Sequence, residues 1–297
     1  MESRTVKDGL FFFLFLVMIL PFLQHCFGFI ESGKLNGYIV STPDVKFSYP
    51  KWWDGTYQKQ KSYFLNDSVG FRPDLVRLSD QIGFSLFNEV HAADVYLGKD
   101  GQLFSKVHTD EYFGGDHIGI DTVRTMLIKL KRIQDTLEHL GKTMVFVYAP
   151  SKAYYLPEKI PDCLRLAEPP KISNYHTFKR LGDSLHINQL DFNAYFIAMK
   201  DTVKNLIFSK QGTHWTNYGA LLGGDSLTKY IERTRNISMP ELTIEEMQYS
   251  AAARNDDADL SRILNLIYCL SASVELNLRY ARKLSERFPG VSCTVQN

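Results

Sequence analysis

A short apolar run near the middle of the chain decides the fold class, and it reads Met144-Val145-Phe146-Val147-Tyr148-Ala149-Pro150. A run of apolar and aromatic residues that a proline closes is typical of a strand buried inside a protein. After it the segments alternate: the pattern predicts helices at 174–184 and 192–201, and short strands at 186–190 and 205–208. Strands that alternate with helices indicate an α/β fold, in which helices flank a parallel sheet.

Two segments follow directly after predicted strands, where α/β proteins carry their working residues. Ser151 and Lys152 follow the strand at 144–150. The loop after the strand at 205–208 reads Gly212-Thr213-His214-Trp215-Thr216-Asn217-Tyr218-Gly219-Ala220. A histidine in such a loop can act as a general base near neutral pH, so His214 is the first candidate for a catalytic residue.

A lead-in of helices and a hairpin precedes this region, after an extended segment at 31–53. Pro73 begins a predicted helix whose apolar stripe is Leu75, Leu78, Ile82 and Leu86. A glycine-containing turn predicts a hairpin over 95–104. A long helix is expected from an N-cap at Asp121 to the stop at Gly141.

The N-terminus carries an apolar run over residues 10–23, with Arg4 and Lys7 before it. Basic residues before an apolar segment favour a cytoplasmic N-terminus and an exported body. An uncleaved signal-anchor, a cleaved signal peptide and a buried core helix are the three alternatives. In the first two, the protein works outside the cytoplasm.

Composition excludes several other classes of protein. The chain has 297 residues, of which 44% are hydrophobic, and this is enough for one large or two modest domains. Its 34 basic and 33 acidic side chains are interspersed, so we expect no nucleic-acid partner. Four scattered cysteines without a C-x-x-C pair predict no zinc site, and we expect no metal or cofactor.

At these motifs the chain resembles a known family. The segments 150–153 and 156–159, and later Thr213-His214-Trp215-Thr216 with Gly219-Ala220, are similar to the SGNH-hydrolase-like domain of the alginate O-acetyltransferases AlgX and AlgJ. The lead-in segments 53–58, 70–72 and 97–104 and the acidic segment 254–260 also match that group. The resemblance implies an exported or membrane-anchored protein that moves acetyl groups onto polysaccharide hydroxyls with a Ser-His-Asp triad.

The resemblance makes His214 the base of such a triad, but the acid and the nucleophile depart from the pattern. The family has an aspartate two residues before this histidine, and the position here is Gly212. Asp191, at the end of a predicted strand, is the candidate for the acid that orients the imidazole. Ser151 is the candidate for the nucleophile.

Other candidates are weaker. Ser226 belongs to a Gly-Asp-Ser triplet inside the helix after His214, and about ten helical residues at ~1.5 Å each separate it from the base. The region 270–297 predicts a charged helix and an irregular end, and its Ser271, Ser273, Ser285 and Ser292 lie in no nucleophile turn. We therefore expect a shortened or altered C-terminus. Candidates for substrate binding are Lys152, Tyr154 and Trp215, although Trp215 also fits a packing role.

The sequence as a whole predicts four segments: a signal segment at 1–30, the lead-in at 31–110, the SGNH-like domain at 111–265 and an atypical tail at 266–297. The expected function is O-acetylation of an exopolysaccharide or cell-surface glycan in the periplasm or another extracytoplasmic space. The expected partners are the glycan acceptor, an acetyl-donor membrane protein and the membrane itself. A catalytically silent glycan-binding or scaffold protein and a carbohydrate esterase are the alternatives.

Overall fold

The computed structural model describes residues 2–37, 41–167, 171–240, 242–250, 255–268 and 275–282. Contacts divide the chain into two compact units. Unit 1 comprises Met1–His91 with Arg262–Tyr268, and unit 2 comprises Ala92–Ser261 with Cys269–Asn297.

Unit 1 is helical. Its helices are α1 (Glu2–Phe27), α2 (Tyr49–Trp53), α3 (Thr56–Ser68) and α4 (Arg72–Phe87). Within α1 the span Thr5–Phe27 is long and apolar enough to cross a membrane, and only 6% of its most apolar window is buried. This exposure contradicts the alternative of a buried core helix. The short helix α2 corrects the expectation that the whole of 31–53 is extended.

Unit 2 carries the alternation of strands and helices that the sequence predicts. Its elements are β1 (Val95–Leu97), β2 (Leu103–Ser105), α5 (Lys106–Tyr112), α6 (Ile120–His139), β3 (Phe146–Tyr148), α7 (Lys152–Tyr155), α8 (Asp162–Ala167), α9 (Asn174–Ser184), β4 (Gln189–Asp191), α10 (Phe192–Met199), α11 (Asn217–Arg235), β5 (Leu242–Ser250), α12 (Asp259–Ile263, whose last two residues belong to unit 1) and β6 (Glu275–Arg282).

The parallel pairing at the centre of unit 2 is confirmed. Strands β3 and β4 run parallel, with Phe146 opposite Gln189 and Tyr148 opposite Asp191. The predicted strand at 205–208 is wrong: Phe208 makes a single antiparallel bridge to Trp215. The chain turns back on itself there, so Ile207 and Phe208 are buried on one side of a loop, and this run joins none of the strand pairs of the described residues.

Two antiparallel strand pairs are also present among the described residues. The predicted hairpin is confirmed as β1 and β2, and it belongs to unit 2. Strands β5 and β6 pair from Leu242 opposite Arg282 to Ser250 opposite Glu275. This pairing corrects the helix predicted for 270–297, at least over Glu275–Arg282.

Helix α6 contributes two side chains to a buried cluster of unit 2. Val123 and Leu127 are fully buried and form one cluster with Ile187. The N-cap is Gly119 rather than Asp121, which lies in the first turn. Since Gly119 has a φ of +93°, the chain enters the helix in a conformation that favours glycine.

Candidate active site

The loop that carries His214 is held at both ends by backbone hydrogen bonds. The bridge between Phe208 and Trp215 closes it, and the Thr216 N–H donates to the Ile207 carbonyl at 2.9 Å. The Thr216 hydroxyl donates to the Leu206 carbonyl at 2.5 Å and accepts from Gly219 N–H at 3.2 Å. The second bond caps α11, so the end of the loop and the start of the helix are fixed together.

Lys152 holds the inside of this loop. Its side chain is 1% exposed, and its Nζ donates to the carbonyls of Ser209 at 2.6 Å, Lys210 at 2.9 Å and Gly212 at 3.2 Å. A fourth carbonyl, that of Leu103 in β2, lies 2.9 Å away. An ammonium has three N–H donors, so four acceptors use all of them. This setting corrects the substrate-facing role that we expected for Lys152.

An ammonium at this depth carries an electrostatic cost. Burial lowers the pKa of Lys152 to about 7, and nearby Asp259 acts in the opposite direction. The carbonyl oxygens replace part of the water that the ammonium loses. The arrangement therefore makes Lys152 a structural centre that joins β2, α7 and the His214 loop.

Asp259 is the carboxylate beside His214. Its Oδ2 lies 3.7 Å from Nε2 of His214, and its Oδ1 accepts a hydrogen bond from the Thr213 N–H at 2.9 Å. The His214 side chain is 61% exposed, whereas Asp259 is 26% exposed. Asp259 thus fixes the backbone before the histidine through the Thr213 N–H, and its second oxygen lies near the imidazole without a hydrogen bond to it.

A second histidine lies behind the loop. Nδ1 of His108 in α5 is 2.9 Å from the Thr213 hydroxyl. Burial, and then the proximity of His214, lower the pKa of His108, and Asp259 opposes them. A lowered pKa keeps His108 neutral at pH 7, so it supports the loop without adding a positive charge next to His214.

Ser151 does not have the setting of a nucleophile. The residue is 9% exposed, and its Oγ is buried without a hydrogen-bond partner. A nucleophile must reach both its base and the substrate. Within the described ranges, no serine hydroxyl is hydrogen-bonded to His214.

Asp191 serves other partners than His214. Its Oδ1 accepts from Ala194 N–H at 3.1 Å and caps α10, and its Oδ2 accepts from the Tyr175 hydroxyl at 2.9 Å. The structure therefore assigns to Asp259 the place beside the histidine that we expected for Asp191.

The two aromatic candidates pack inside the protein. Trp215 donates from Nε1 to the Pro150 carbonyl at 3.1 Å and lies edge-on to the rings of Phe192 and Phe196. Tyr154 is half-buried, and its hydroxyl bonds to the Ser173 hydroxyl. Burial raises the pKa of Tyr154 to about 12. Both residues are thus held by neighbours in the fold, and the packing role that we considered for Trp215 is the one observed.

The remaining serines do not complete the site. Ser226 lies inside α11, as expected, away from its first turn. Ser271, Ser273, Ser285 and Ser292 lie outside the described residues. Among the described residues, no group of three or more histidine, cysteine, aspartate or glutamate side chains could hold a metal ion.

Sequence reasoning missed Asp259 as a site residue. Asp259 belongs to an acidic segment and begins the helix α12, and carboxylates are common at helix starts because they interact favourably with the helix dipole. Its pairing with the His214 loop joins residues that are 46 positions apart. The glycine at position 212 was the signal in the sequence that could have pointed to Asp259. A histidine without the family's nearby aspartate needs a carboxylate from another part of the chain.

Comparison with known proteins identifies the family. Residues 95–280, more than half of the chain, match the family described as the SGNH hydrolase-like domain of the acetyltransferase AlgX. The protein named probable alginate O-acetylase AlgJ from Pseudomonas putida is 26% identical over 176 residues. That match covers 58% of this chain and 43% of the relative, so the chain spans less than half of the relative's length.

Two solved structures show a partial likeness to this chain. The O-acetyltransferase domain of Pseudomonas putida AlgJ has a TM-score of 0.44 at 21% identity and covers 63% of this chain and 65% of its own. Pseudomonas aeruginosa AlgX has a TM-score of 0.45 at 16% identity and covers 63% and 44%, respectively. With the family match over 95–280, the α/β fold is of the SGNH hydrolase-like type, and the chain belongs to the AlgX family of SGNH hydrolase-like domains.

Proposed function

We propose that this protein is an exported, membrane-anchored acyltransferase that O-acetylates an exopolysaccharide or a cell-surface glycan. His214 is its general base and Asp259 the acid that orients the imidazole. The observation that carries the proposal is the placement of Asp259. Its Oδ1 accepts a hydrogen bond from the Thr213 N–H, and its Oδ2 lies 3.7 Å from Nε2 of His214. This carboxylate compensates for the aspartate that Gly212 replaces.

The exposure of the base supports a polymeric acceptor. An imidazole that is 61% exposed can be reached by a hydroxyl group on a long chain that lies across the surface. In the transfer, His214 takes the proton from an attacking hydroxyl as its oxygen bonds to the acetyl carbon. The bond between that carbon and the donor's oxygen then breaks, and His214 gives the proton to this leaving oxygen. The acetyl group comes from an acetyl-donor membrane protein.

The N-terminal helix supports the location. Thr5–Phe27 is long and apolar enough to span a bilayer, and residues 10–30 would tether the body on the outer, periplasmic side of the inner membrane. At that surface the protein would encounter both the acetyl-donor membrane protein and the glycan.

The test is turnover of an acetyl-ester reporter by the full chain in detergent micelles. His214→Ala should lower the rate above background by about 10²-fold or more, as expected for loss of a general base. Asp259→Asn keeps the size of the side chain, removes its charge and should lower the rate as well. His139→Ala, at an exposed histidine, is the matched control. Activity that survives His214→Ala would refute the base assignment.

The acceptor is tested separately. Acetyl groups that appear on an added glycan indicate a transferase. Free acetate that is released only into water indicates a carbohydrate esterase.

A catalytically silent glycan-binding or scaffold protein is the second candidate function, and one observation favours it. The hydroxyl of Ser151 is buried, and none of the described serines bonds to His214. A fluorophosphonate probe that labels no serine in the full chain, together with the absence of reporter turnover, would support this alternative. A labelled serine would refute it and would identify the nucleophile.

A further inference from the structure

Helix α4 in unit 1 exposes the apolar stripe that its sequence predicts. The exposed fractions are 47% for Leu75, 48% for Leu78, 45% for Ile82 and 70% for Leu86. These positions recur with the helical period and form one face about three turns long. An amphipathic helix of a water-soluble domain turns such a face towards the core, so this exposure requires a partner.

The polar face of the same helix is occupied within unit 1. Arg77 donates to the Lys34 carbonyl at 2.6 Å, and Asp74 accepts from the Ser32 hydroxyl. Further along, Asp80 contacts Nδ1 of His91 at 3.0 Å. These hydrogen bonds of α4 inside unit 1 are made by its polar side chains, whereas the four apolar side chains of the stripe are exposed.

The start of α4 lies against the end of the candidate membrane span. A Cβ at Gly70 would come 2.3 Å from the Pro21 carbonyl oxygen and 2.7 Å from the His25 nitrogen, so only glycine permits this approach. Nδ1 of His25 is 2.6 Å from the Ser68 carbonyl oxygen. Helix α4 begins two residues after Gly70, beside the last turns of α1.

These contacts set the depth of α4. A 23-residue span is about 35 Å long at ~1.5 Å per residue, close to the ~30 Å hydrocarbon core. Gly70, level with Pro21–His25, then lies at the boundary between acyl chains and headgroups. Ser32, which holds Asp74, is five residues beyond Phe27 and so at most about 18 Å from the end of the span. The first turns of α4 are thereby kept close to the membrane surface.

We propose that α4 is an interfacial helix that lies at the boundary between the inner membrane and water, on the periplasmic side. Its residues Leu75, Leu78, Ile82 and Leu86 are inserted among the lipids. Its partner is the lipid bilayer that α1 crosses, and the inference rests on the proposed membrane anchoring. Such helices bury their apolar face about 5–10 Å into the boundary between headgroups and acyl chains. Contact of both α1 and α4 with the bilayer gives unit 1 a fixed orientation on the membrane.

The test is the depth of a spin label in the full chain, reconstituted into vesicles of phosphatidylethanolamine and phosphatidylglycerol. Labels are placed by Ile82→Cys and by Ile133→Cys, after the native Cys26, Cys163, Cys269 and Cys293 are replaced by alanine. Ile133 is the matched control, because it is also an isoleucine on a helix and is 53% exposed, but lies in α6 of unit 2. Collisions with oxygen report lipid, and collisions with a water-soluble nickel chelate report water.

The expected result is that the Ile82 label collides mainly with oxygen at a depth of about 5–10 Å, while the Ile133 label collides mainly with the chelate. Equal access of the chelate to both labels overturns the inference. A label at Ile82 that neither reagent reaches also overturns it, because a protein partner or a second copy then covers the stripe. The intact mass of the purified protein tests the membrane anchoring separately. Loss of residues 1–30 would refute the anchoring. A retained α1 together with a water-exposed label at Ile82 would refute only the interfacial helix.

Discussion

Replacing Lys152 by methionine tests whether its buried ammonium holds the His214 loop. Lys152→Met keeps the length of the side chain and removes the charge. The carbonyls of Leu103, Ser209 and Gly212 then lose their charged donor, at distances of 2.9, 2.6 and 3.2 Å. The Lys210 carbonyl keeps a second donor, the Leu103 N–H at 2.9 Å.

The magnitude follows from two opposing contributions. Three hydrogen bonds from a charged donor contribute about 1.5–3 kcal/mol each, so their loss costs about 5–9 kcal/mol. Burial lowers the pKa of Lys152 from 10.5 to about 7. That change corresponds to about 5 kcal/mol of unfavourable burial, which the methionine variant no longer carries. The expected net loss in the free energy of unfolding is about 2 kcal/mol at pH 6.

The pH dependence sharpens the prediction. The pKa of Lys152 is lower in the folded state than in the unfolded chain, so between pH 7 and 10.5 the unfolded chain binds more protons. The contribution of this lysine to the stability of the wild type is therefore complete above the unfolded pKa and is lost as the pH falls through about 7. The gap between wild type and variant should widen from about 2 kcal/mol at pH 6 to about 5 kcal/mol at pH 9.

The measurement is urea unfolding of the full chain in detergent micelles. Trp52 and Trp53 are replaced by phenylalanine, which leaves Trp215 as the single tryptophan, a reporter that lies in the loop itself. Lys106→Met, at an exposed lysine, is the control and should change stability by less than about 0.5 kcal/mol. A Lys152→Met variant as stable as this control, or a gap that stays constant from pH 6 to pH 9, would refute the reasoning.

Two further predictions concern the surroundings of the site. Gly98→Ala should lower the free energy of unfolding by about 2 kcal/mol or more, because a Cβ there would lie 2.3 Å from the Lys159 carbonyl oxygen. Thermal unfolding measures the loss, and an unchanged midpoint would contradict the close packing of the hairpin. Because burial lowers the pKa of His108, its NMR titration should have a midpoint below 6.5, and its contribution to stability should fall as the pH drops through that midpoint. A midpoint at or above 6.5 would argue against a buried, neutral imidazole.

Local sequence patterns predicted the elements that local interactions determine. The helix expected at 174–184 is α9, Asn174–Ser184, and the hairpin around Lys99-Asp100-Gly101 is β1 and β2. The parallel pairing of β3 and β4 also followed from the alternation of strands and helices. Periodicity and turn residues are properties of neighbouring positions, so one sequence contains the information.

The expectations that failed depend on contacts between distant segments. Leu206 to Phe208 looked like a strand because buried loops and buried strands share the same short apolar runs. Lys152 was a candidate for substrate binding because its carbonyl partners, which lie 49 to 60 positions away, leave no local signal. Asp259 looked like an ordinary helix start because nothing local points to His214. In each case the tertiary fold supplies the partner that decides the role.

The buried Lys152 supports the loop that carries the exposed His214. An imidazole that is 61% exposed has few side-chain neighbours to fix its position, so its orientation depends on the backbone beneath it. That backbone is held from inside by Lys152 at Ser209, Lys210 and Gly212, and from outside by Asp259 at Thr213. A glycine at position 212 leaves the loop without a carboxylate of its own, and the carboxylate near His214 belongs to Asp259 at the start of α12. If His214 is the base of the proposed acyltransferase, this arrangement would let it meet a large acceptor at the surface, because the loop beneath it is held rigidly.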